Sequence, residues 1–161
     1  PSTGQDRMPG AALLASVALS LLAAMACGGP SQAASVAIGD AAFQVEVLTT
    51  PAERTRGLSG REMLEPGSGA LFVYEPGAAG AIWMTEMLFD LDLVWIGEGC
   101  TVVHVTEKVP RPEPGTPDTR LPRYRTSVPA TYVIELNTGD VERSGIRVGD
   151  KVRFSGITDG C

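Results

Sequence analysis

The segment that most constrains the fold is residues 91–96, LDLVWI, because it is apolar on both sides of an extended chain. Side chains alternate between the two faces of a strand, so Leu91 and Trp95 share one face while Asp92 and Ile96 share the other. A strand that is apolar on both faces has to be covered on both. The sequence therefore predicts a sheet packed on each side, with Asp92 at least half buried.

Seven further segments have the short length and the apolar content of strands, several with a clear period of two. Glycine-rich and proline-rich turns separate them. They comprise residues 36–38, 43–47, 70–74, 82–84, 101–109, 131–136 and 151–154. About eight short strands with little helix predict a mainly β fold: a compact, barrel-like or sandwich-like sheet with one or two short helices.

One short helix is predicted directly after the second strand. Thr50 can serve as N-cap, Pro51 suits the first helical position, and Glu53 can complete a capping box. Gly57 can adopt the left-handed conformation that ends the helix, which is then one to two turns long. A second single turn is predicted at residues 140–145.

The first 26 residues have the pattern of an export signal. A charged Arg7 precedes an apolar, alanine-rich run, and small residues surround Cys27. Two fates stay open: lipidation of Cys27, as in a bacterial lipoprotein, or plain cleavage at an Ala-x-Ala site after Ala26 or near residues 33–34. Either fate exports the protein, which is then lipid-anchored in the bacterial cell envelope or secreted.

The rest of the chain divides into three parts. Residues 27–35 form a small-residue tether, residues 36–156 a single domain, and residues 157–161 a C-terminal tail. If Cys27 carries lipid, Cys100 and Cys161 remain as a candidate disulfide in an oxidising compartment. The alternative is two unpaired thiols.

Composition narrows the classes of partner. The net charge of −6 argues against nucleic acid, since phosphate binding needs clustered lysine and arginine. His104 is the only histidine and no Cys-x-x-Cys pair is present, so we expect no metal site and no cofactor. The shortage of acid, base and nucleophile combinations favours binding over catalysis, and no catalytic residue is assigned. We expect a monomer that contacts membrane only through a lipid on Cys27.

Residues 110–129 do not follow the pattern of short strands and turns found in the rest of the domain. They hold half of the chain's 12 prolines, and four arginines against two carboxylates. Proline at this density makes a segment stiff and extended, and a long loop in a compact domain is functional or disordered. Such a segment suits either the cover of a cleft or a module that binds an acidic partner or a membrane surface.

Five side chains are candidates for a ligand site. A half-buried Asp92 needs a cation or hydrogen-bond donors, and the arginines on or just after the predicted helix are candidates to supply them. One interpretation is a structural ion pair that joins the helix to the sheet, and the other is a pocket walled by Trp83. Tyr124 is either a stacking platform or an exposed loop residue. The candidate ligand-binding set is Arg54, Arg61, Trp83, Asp92 and Tyr124.

Six motifs in order resemble the domain of unknown function 192 family. They are Thr50-x-x-Glu53-Arg54-x-x-Gly57-Leu58-x-x-Arg61 and the segments at residues 69–74, 82–84, 91–96, 132–136 and 145–152. The resemblance implies a compact, mainly β, barrel-like domain, often exported in bacteria, with no established reaction and a suggested small-molecule or carbohydrate-like ligand. Residues 85–87, Thr-Glu-Met, replace the family's usual Lys-Asn-Thr, and Asp90 replaces a proline.

These observations rank three functions. The first is an exported, non-enzymatic domain that binds a small polar or carbohydrate-like ligand. The second is an envelope interaction module that uses residues 110–129. The third is a hydrolase-type enzyme that uses carboxylates such as Glu86 and Asp92.

The fate of Cys27 can be tested directly. We expect mass analysis of the mature protein to show a chain that begins at Cys27 and carries added lipid. A chain that begins at Cys27 or later in residues 27–35 without added mass would instead indicate plain cleavage.

Overall fold

The computed structural model describes residues 33–158 and 160, so the predicted export signal and Cys161 lie outside the described range. Within it, seven strands and two short α-helices follow one another along the chain. They are β1 (Ser35–Ile38), β2 (Ala41–Leu48), α1 (Pro51–Arg56), β3 (Ser68–Val73), β4 (Leu91–Gly97), β5 (Thr101–Val109), β6 (Tyr132–Asn137), α2 (Asp140–Ser144) and β7 (Val152–Ser155). None of the described helices is long and apolar enough to cross a membrane.

All seven strands belong to one sheet in the order β5-β4-β6-β3-β2-β1-β7. The β2–β3 pair is parallel, as the crossover through α1 requires, and the other neighbouring pairs are antiparallel. The sheet curls until its edges meet at one end, where Val102 donates to the Asp150 carbonyl at 2.9 Å and Val152 to the Cys100 carbonyl at 2.9 Å. The mainly β, barrel-like fold is therefore confirmed, as a half-closed barrel.

The two faces of the sheet support two separate apolar cores. The first core contains side chains from every strand, including Val102 and Val152 of the edge strands β5 and β7, and so fills the inside of the curl. The second lies on the outer face, where Leu58 and residues 82–87 cover β3, β4 and β6. Strand β4 is buried along its whole length because it contributes to both cores.

Helix α1 forms as its sequence predicts. Thr50 Oγ1 accepts a hydrogen bond from the Glu53 amide at 3.2 Å, and Glu53 Oε2 accepts one from the Thr50 amide at 2.8 Å. Gly57 then ends the helix at φ 48°, and a Cβ there would lie 3.1 Å from the Phe72 ring. Glycine is needed because the backbone turns into the left-handed region against the sheet.

One predicted strand does not form. Of residues 82–84, only Ile82 makes a sheet-like pair, with Tyr124 of the long loop. The segment is apolar because Ile82 and Met84 are buried against the outer face, where they act as a cover and do not join the sheet. Short apolar runs have the same pattern in both roles, which is why periodicity alone does not separate them.

Within the part of the chain that the structure describes, the buried Asp92 has no arginine partner, contrary to the expected pairing with Arg54 or Arg61. Its side chain is fully buried, and its Oδ1 accepts the Lys108 amide at 2.8 Å while its Oδ2 accepts the Val141 amide at 3.0 Å. Lys108 lies at φ 56° beside a register shift between β4 and β5. Asp92 therefore stabilises a β-bulge and the first turn of α2 through backbone amides.

Replacing Asp92 by asparagine should destabilise the fold. The amide has one acceptor oxygen and places an N–H₂ group against a backbone N–H donor, so we expect a loss of roughly 2–4 kcal/mol in the free energy of unfolding. Urea denaturation measures this loss. The control is Asp90→Asn, whose exposed carboxylate accepts one hydrogen bond from the Arg111 amide. Equal effects of the two substitutions would contradict the role assigned to Asp92.

Candidate functional site

A cleft of about 310 Å³ lies on the outer face of the sheet, between α1 and residues 80–87. The parallel connection from β2 through α1 to β3 places the helix over this face, and the cover segment forms the opposite wall. The larger apolar and aromatic side chains of the lining are Leu58, Phe72, Ile82, Trp83 and Met87. The cleft thus combines an apolar wall with a small number of polar groups, as ligand sites do.

Glu135 lies at the sheet side of this cleft. It occupies the middle of β6, paired with Ala70 and Leu93 on the neighbouring strands, and its side chain is only 5 % exposed. Its Oε2 is buried and has no hydrogen-bond partner within the described residues. Burial raises the pKa of the Glu135 carboxyl to about 8, so the group is protonated at neutral pH.

Arg54 and Tyr74 are the polar neighbours of Glu135 in the cleft. Arg54 Nη1 donates to the Val73 carbonyl at 2.9 Å and also to the Thr49 carbonyl, which fixes the guanidinium beside the end of β3. Its Cζ lies 4.8 Å from the centre of the Tyr74 ring. Burial raises the pKa of the Tyr74 phenol, the charge of Arg54 lowers it and Glu135 raises it. Tyr74 therefore interacts electrostatically with both Arg54 and Glu135.

Trp83 connects the cleft to the long loop. The Arg123 guanidinium stacks on its ring at 4.0 Å. The loop is also held by two hydrogen bonds between the backbones of Ile82 and Tyr124, at 2.8 and 3.0 Å, and by the Thr85 hydroxyl, which donates to Asp118 at 2.6 Å. Residues 118–124 are therefore fixed against the cover segment.

The structure brings two of the five predicted site residues together, Arg54 and Trp83, which both line the cleft. Arg61 lies elsewhere, in an ion pair with Glu46. Asp92 belongs to the other face of the sheet and is closed off by backbone amides, so its predicted place in the ligand site is wrong. Tyr124 lines a separate space of about 170 Å³ beneath the loop.

Two further predicted groups are placed by the structure. Cys100 is disulfide-bonded. The proposed pairing with Cys161 stays a prediction. His104 contacts Trp95 with ring centres 5.1 Å apart, and its Nε2 lies 3.3 Å from the Thr106 hydroxyl.

Glu135, Tyr74 and Arg56 are among the cleft residues that the sequence-based site omits. The available signal for Glu135 was a single carboxylate within the apolar strand Tyr132–Asn137, flanked by Ile134 and Leu136. Asp92 has the same feature, since it is a single carboxylate within the apolar strand Leu91–Gly97. Periodicity assigns the two carboxylates to strands, but the cover over each face depends on contacts between distant segments.

The comparisons with known proteins identify the family. The sequence profile of domain of unknown function 192, described as "Uncharacterized ACR", matches residues 34–154, and the chain belongs to this family. Among curated protein sequences, none matches at a significant level.

Two solved bacterial structures share the fold. A protein of unknown function from Novosphingobium aromaticivorans DSM 12444 superimposes with a TM-score of 0.66 at 25% identity, covering 74% of this chain and 83% of its own. A protein from Sinorhizobium meliloti 1021, described provisionally as a transcription regulator, gives a TM-score of 0.65 at 25% identity, with coverages of 78% and 96%.

Substituting Glu135 by glutamine should raise stability in a pH-dependent manner. Because the pKa of Glu135 is raised to about 8 in the folded state, the folded protein keeps a proton that the unfolded chain releases above pH 4.5. The free energy of unfolding of the wild type therefore falls as the pH rises from 4.5 to about 8. Relative to the variant, the wild type should lose roughly 1.4 kcal/mol per pH unit in this window. Chemical denaturation between pH 4.5 and about 8 measures the difference in the free energy of unfolding between the wild type and Glu135→Gln. The control is Glu62→Gln, at an exposed position. A gap that does not change with pH would contradict a neutral buried carboxyl.

Proposed function

We propose that this chain is an exported, non-enzymatic domain that binds a small polar ligand, of which carbohydrate-like compounds are one class, in the cleft beside α1. The observation that carries the proposal is Glu135, a buried carboxyl with an unpartnered Oε2 that lines a space large enough for a small molecule. Arg54, Tyr74 and Trp83 supply further polar and aromatic contacts around it.

The energetic argument concerns what Glu135 costs the free protein. A buried polar atom without a partner destabilises a fold by roughly 1–3 kcal/mol, and an apolar residue of similar size would avoid this cost. Groups of this kind concentrate at functional sites, where a ligand supplies the missing partner. Asp92 is the contrast within the same sheet, since both of its oxygens accept backbone hydrogen bonds.

Binding is better supported than catalysis by the polar groups that line the cleft. Ser59 is the only serine in the lining, and its hydroxyl donates to the Thr85 carbonyl at 2.8 Å instead of facing a general base. Arg54 is held by two carbonyls, and Glu135 holds its proton at neutral pH. An activated nucleophile needs an adjacent base, and the described lining offers no such pair.

The alternative function uses residues 110–129 as an interaction module. Their attachment to residues 82–88 favours a fixed wall over a free arm: Arg111 donates to the Leu88 carbonyl at 2.9 Å, and Arg123 stacks on Trp83. Gene regulation, provisionally ascribed to the Sinorhizobium meliloti protein, requires nucleic-acid contacts that the net charge of −6 disfavours here.

A thermal-shift screen with two variants tests the binding proposal. A ligand at 100 times its dissociation constant should stabilise the wild type by roughly 2.7 kcal/mol. Glu135→Leu should melt higher than the wild type without ligand and yet lose the ligand-induced shift. Trp83→Ala should weaken the shift, whereas Arg120→Gln, an exposed arginine away from the cleft, should leave it unchanged.

The test is specific because Glu135→Leu should raise the melting temperature without ligand and abolish the shift caused by ligand. A merely structural Glu135 would change stability without changing ligand response. If no polar compound in the screen stabilises the wild type, or if Glu135→Leu responds to ligand as the wild type does, the proposal fails.

A further inference from the structure

The charges around the cleft differ from those of the protein as a whole. The chain carries a net charge of −6, but the charged side chains that line the cleft are two arginines, Arg54 and Arg56, and one carboxyl, Glu135. Arg123 adds a third cation next to the lining through its stack on Trp83. A cleft with this lining attracts negative charge, although the protein surface on average repels it.

The protonation of Glu135 strengthens this charge pattern. The titratable groups that face it across the cleft are Tyr74, which follows β3, and Arg54 and Arg56 of α1; the wall at residues 80–87 contributes none to the lining. With its proton retained, the carboxyl is a hydrogen-bond donor and adds no negative charge. The guanidinium groups and Glu135 then all present donors to the same space.

We propose that the cleft binds small organic anions that carry a second, uncharged oxygen. Their anionic group lies at Arg54 and Arg56, and their hydroxyl or carbonyl oxygen accepts a hydrogen bond from Glu135. This assignment rests on the proposed binding function and names its ligand class. The apolar body of the ligand contacts Leu58, Phe72 and Met87 between the two polar ends.

The size of the cleft limits the ligand to about one ring. Its volume of about 310 Å³ lies at the lower end of the range for small-molecule sites, roughly 300–1,000 Å³. The walls are aromatic and aliphatic, which suits a flat ring or a short branched chain. A hydroxyphenyl carboxylate therefore contains each of the required features.

Four related probes separate the contributions of charge and hydrogen bonding. They are 4-hydroxyphenylacetate, phenylacetate, the neutral alcohol tyrosol and the cation tyramine. The readout is the chemical shift of the Trp83 indole N–H in NMR titrations, because Trp83 lines the cleft. Trp95 is the internal control, since its side chain is fully buried and its Nε1 is not exposed.

We expect 4-hydroxyphenylacetate to bind most tightly, followed by phenylacetate, with tyrosol and tyramine much weaker. Arg56→Gln should weaken the two acids roughly two- to five-fold, as expected for an exposed charge. Arg120→Gln should have no effect. Arg56 lies exposed on α1, so its variant should fold normally.

The hydrogen bond from Glu135 has its own signature. In the wild type, the affinity for 4-hydroxyphenylacetate should fall roughly ten-fold as the pH rises through about 8, because the ionised carboxylate no longer donates and repels the anion. Glu135→Gln keeps a donor at all pH values, so its affinity should stay constant. Phenylacetate should show a smaller pH effect because it lacks the second oxygen.

Distinct results would overturn the inference. Equal or tighter binding of tyrosol or tyramine would show that the cleft does not select anions, and so would the absence of any Trp83 shift with either acid. A pH-dependent loss that persists in Glu135→Gln would remove Glu135 from the recognition. If the thermal-shift screen still finds a neutral or cationic compound that requires Trp83, the binding function stands and only the anion class fails.

Discussion

The hydrogen bonds to the buried carboxylate of Asp92 join three parts of the chain at one point. They link the beginning of β4 to the bulge of β5 at Lys108 and to the start of α2 at Val141. Without them, Lys108 would hold a positive φ and two amides would be buried unpaired. Because α2 leads into the segment that closes the sheet against β5, this carboxylate contributes to the closure of the whole barrel.

A second buried carboxyl lies one strand away and faces the other side of the sheet. Asp92 pairs in register with Leu136, so Glu135 is adjacent but points outward, toward α1 and the cover segment. The two buried acids differ: Asp92 is satisfied by amide donors, whereas Glu135 stays protonated and its Oε2 has no partner among the described residues. The sheet thus separates a carboxylate satisfied by amide donors inside the curl from a protonated carboxyl on the outer face.

The sequence predicts those features that depend on neighbouring residues. The capping box of α1, the turn at α2 and the burial of Asp92 follow from local spacing and alternation. The partners of Asp92 are not predictable in this way, because they are backbone amides, and the side chains of the donor residues do not indicate that these amides bind a carboxylate. The cleft is equally non-local, since Glu135 becomes a site residue only when α1 and residues 80–87 pack over β6.

The pairing of β1 with β7 has a mechanical consequence. Ser35 lies opposite Ser155, so the chain enters and leaves the sheet at the same end of one antiparallel pair. A pull between the segment before residue 35 and the segment after residue 155 loads the hydrogen bonds of this pair one after another, as in opening a zipper. The cleft lies beside β3 and β6, two or more strands away from β1 at about 4.8 Å each, so a load on this edge does not act directly on the cleft.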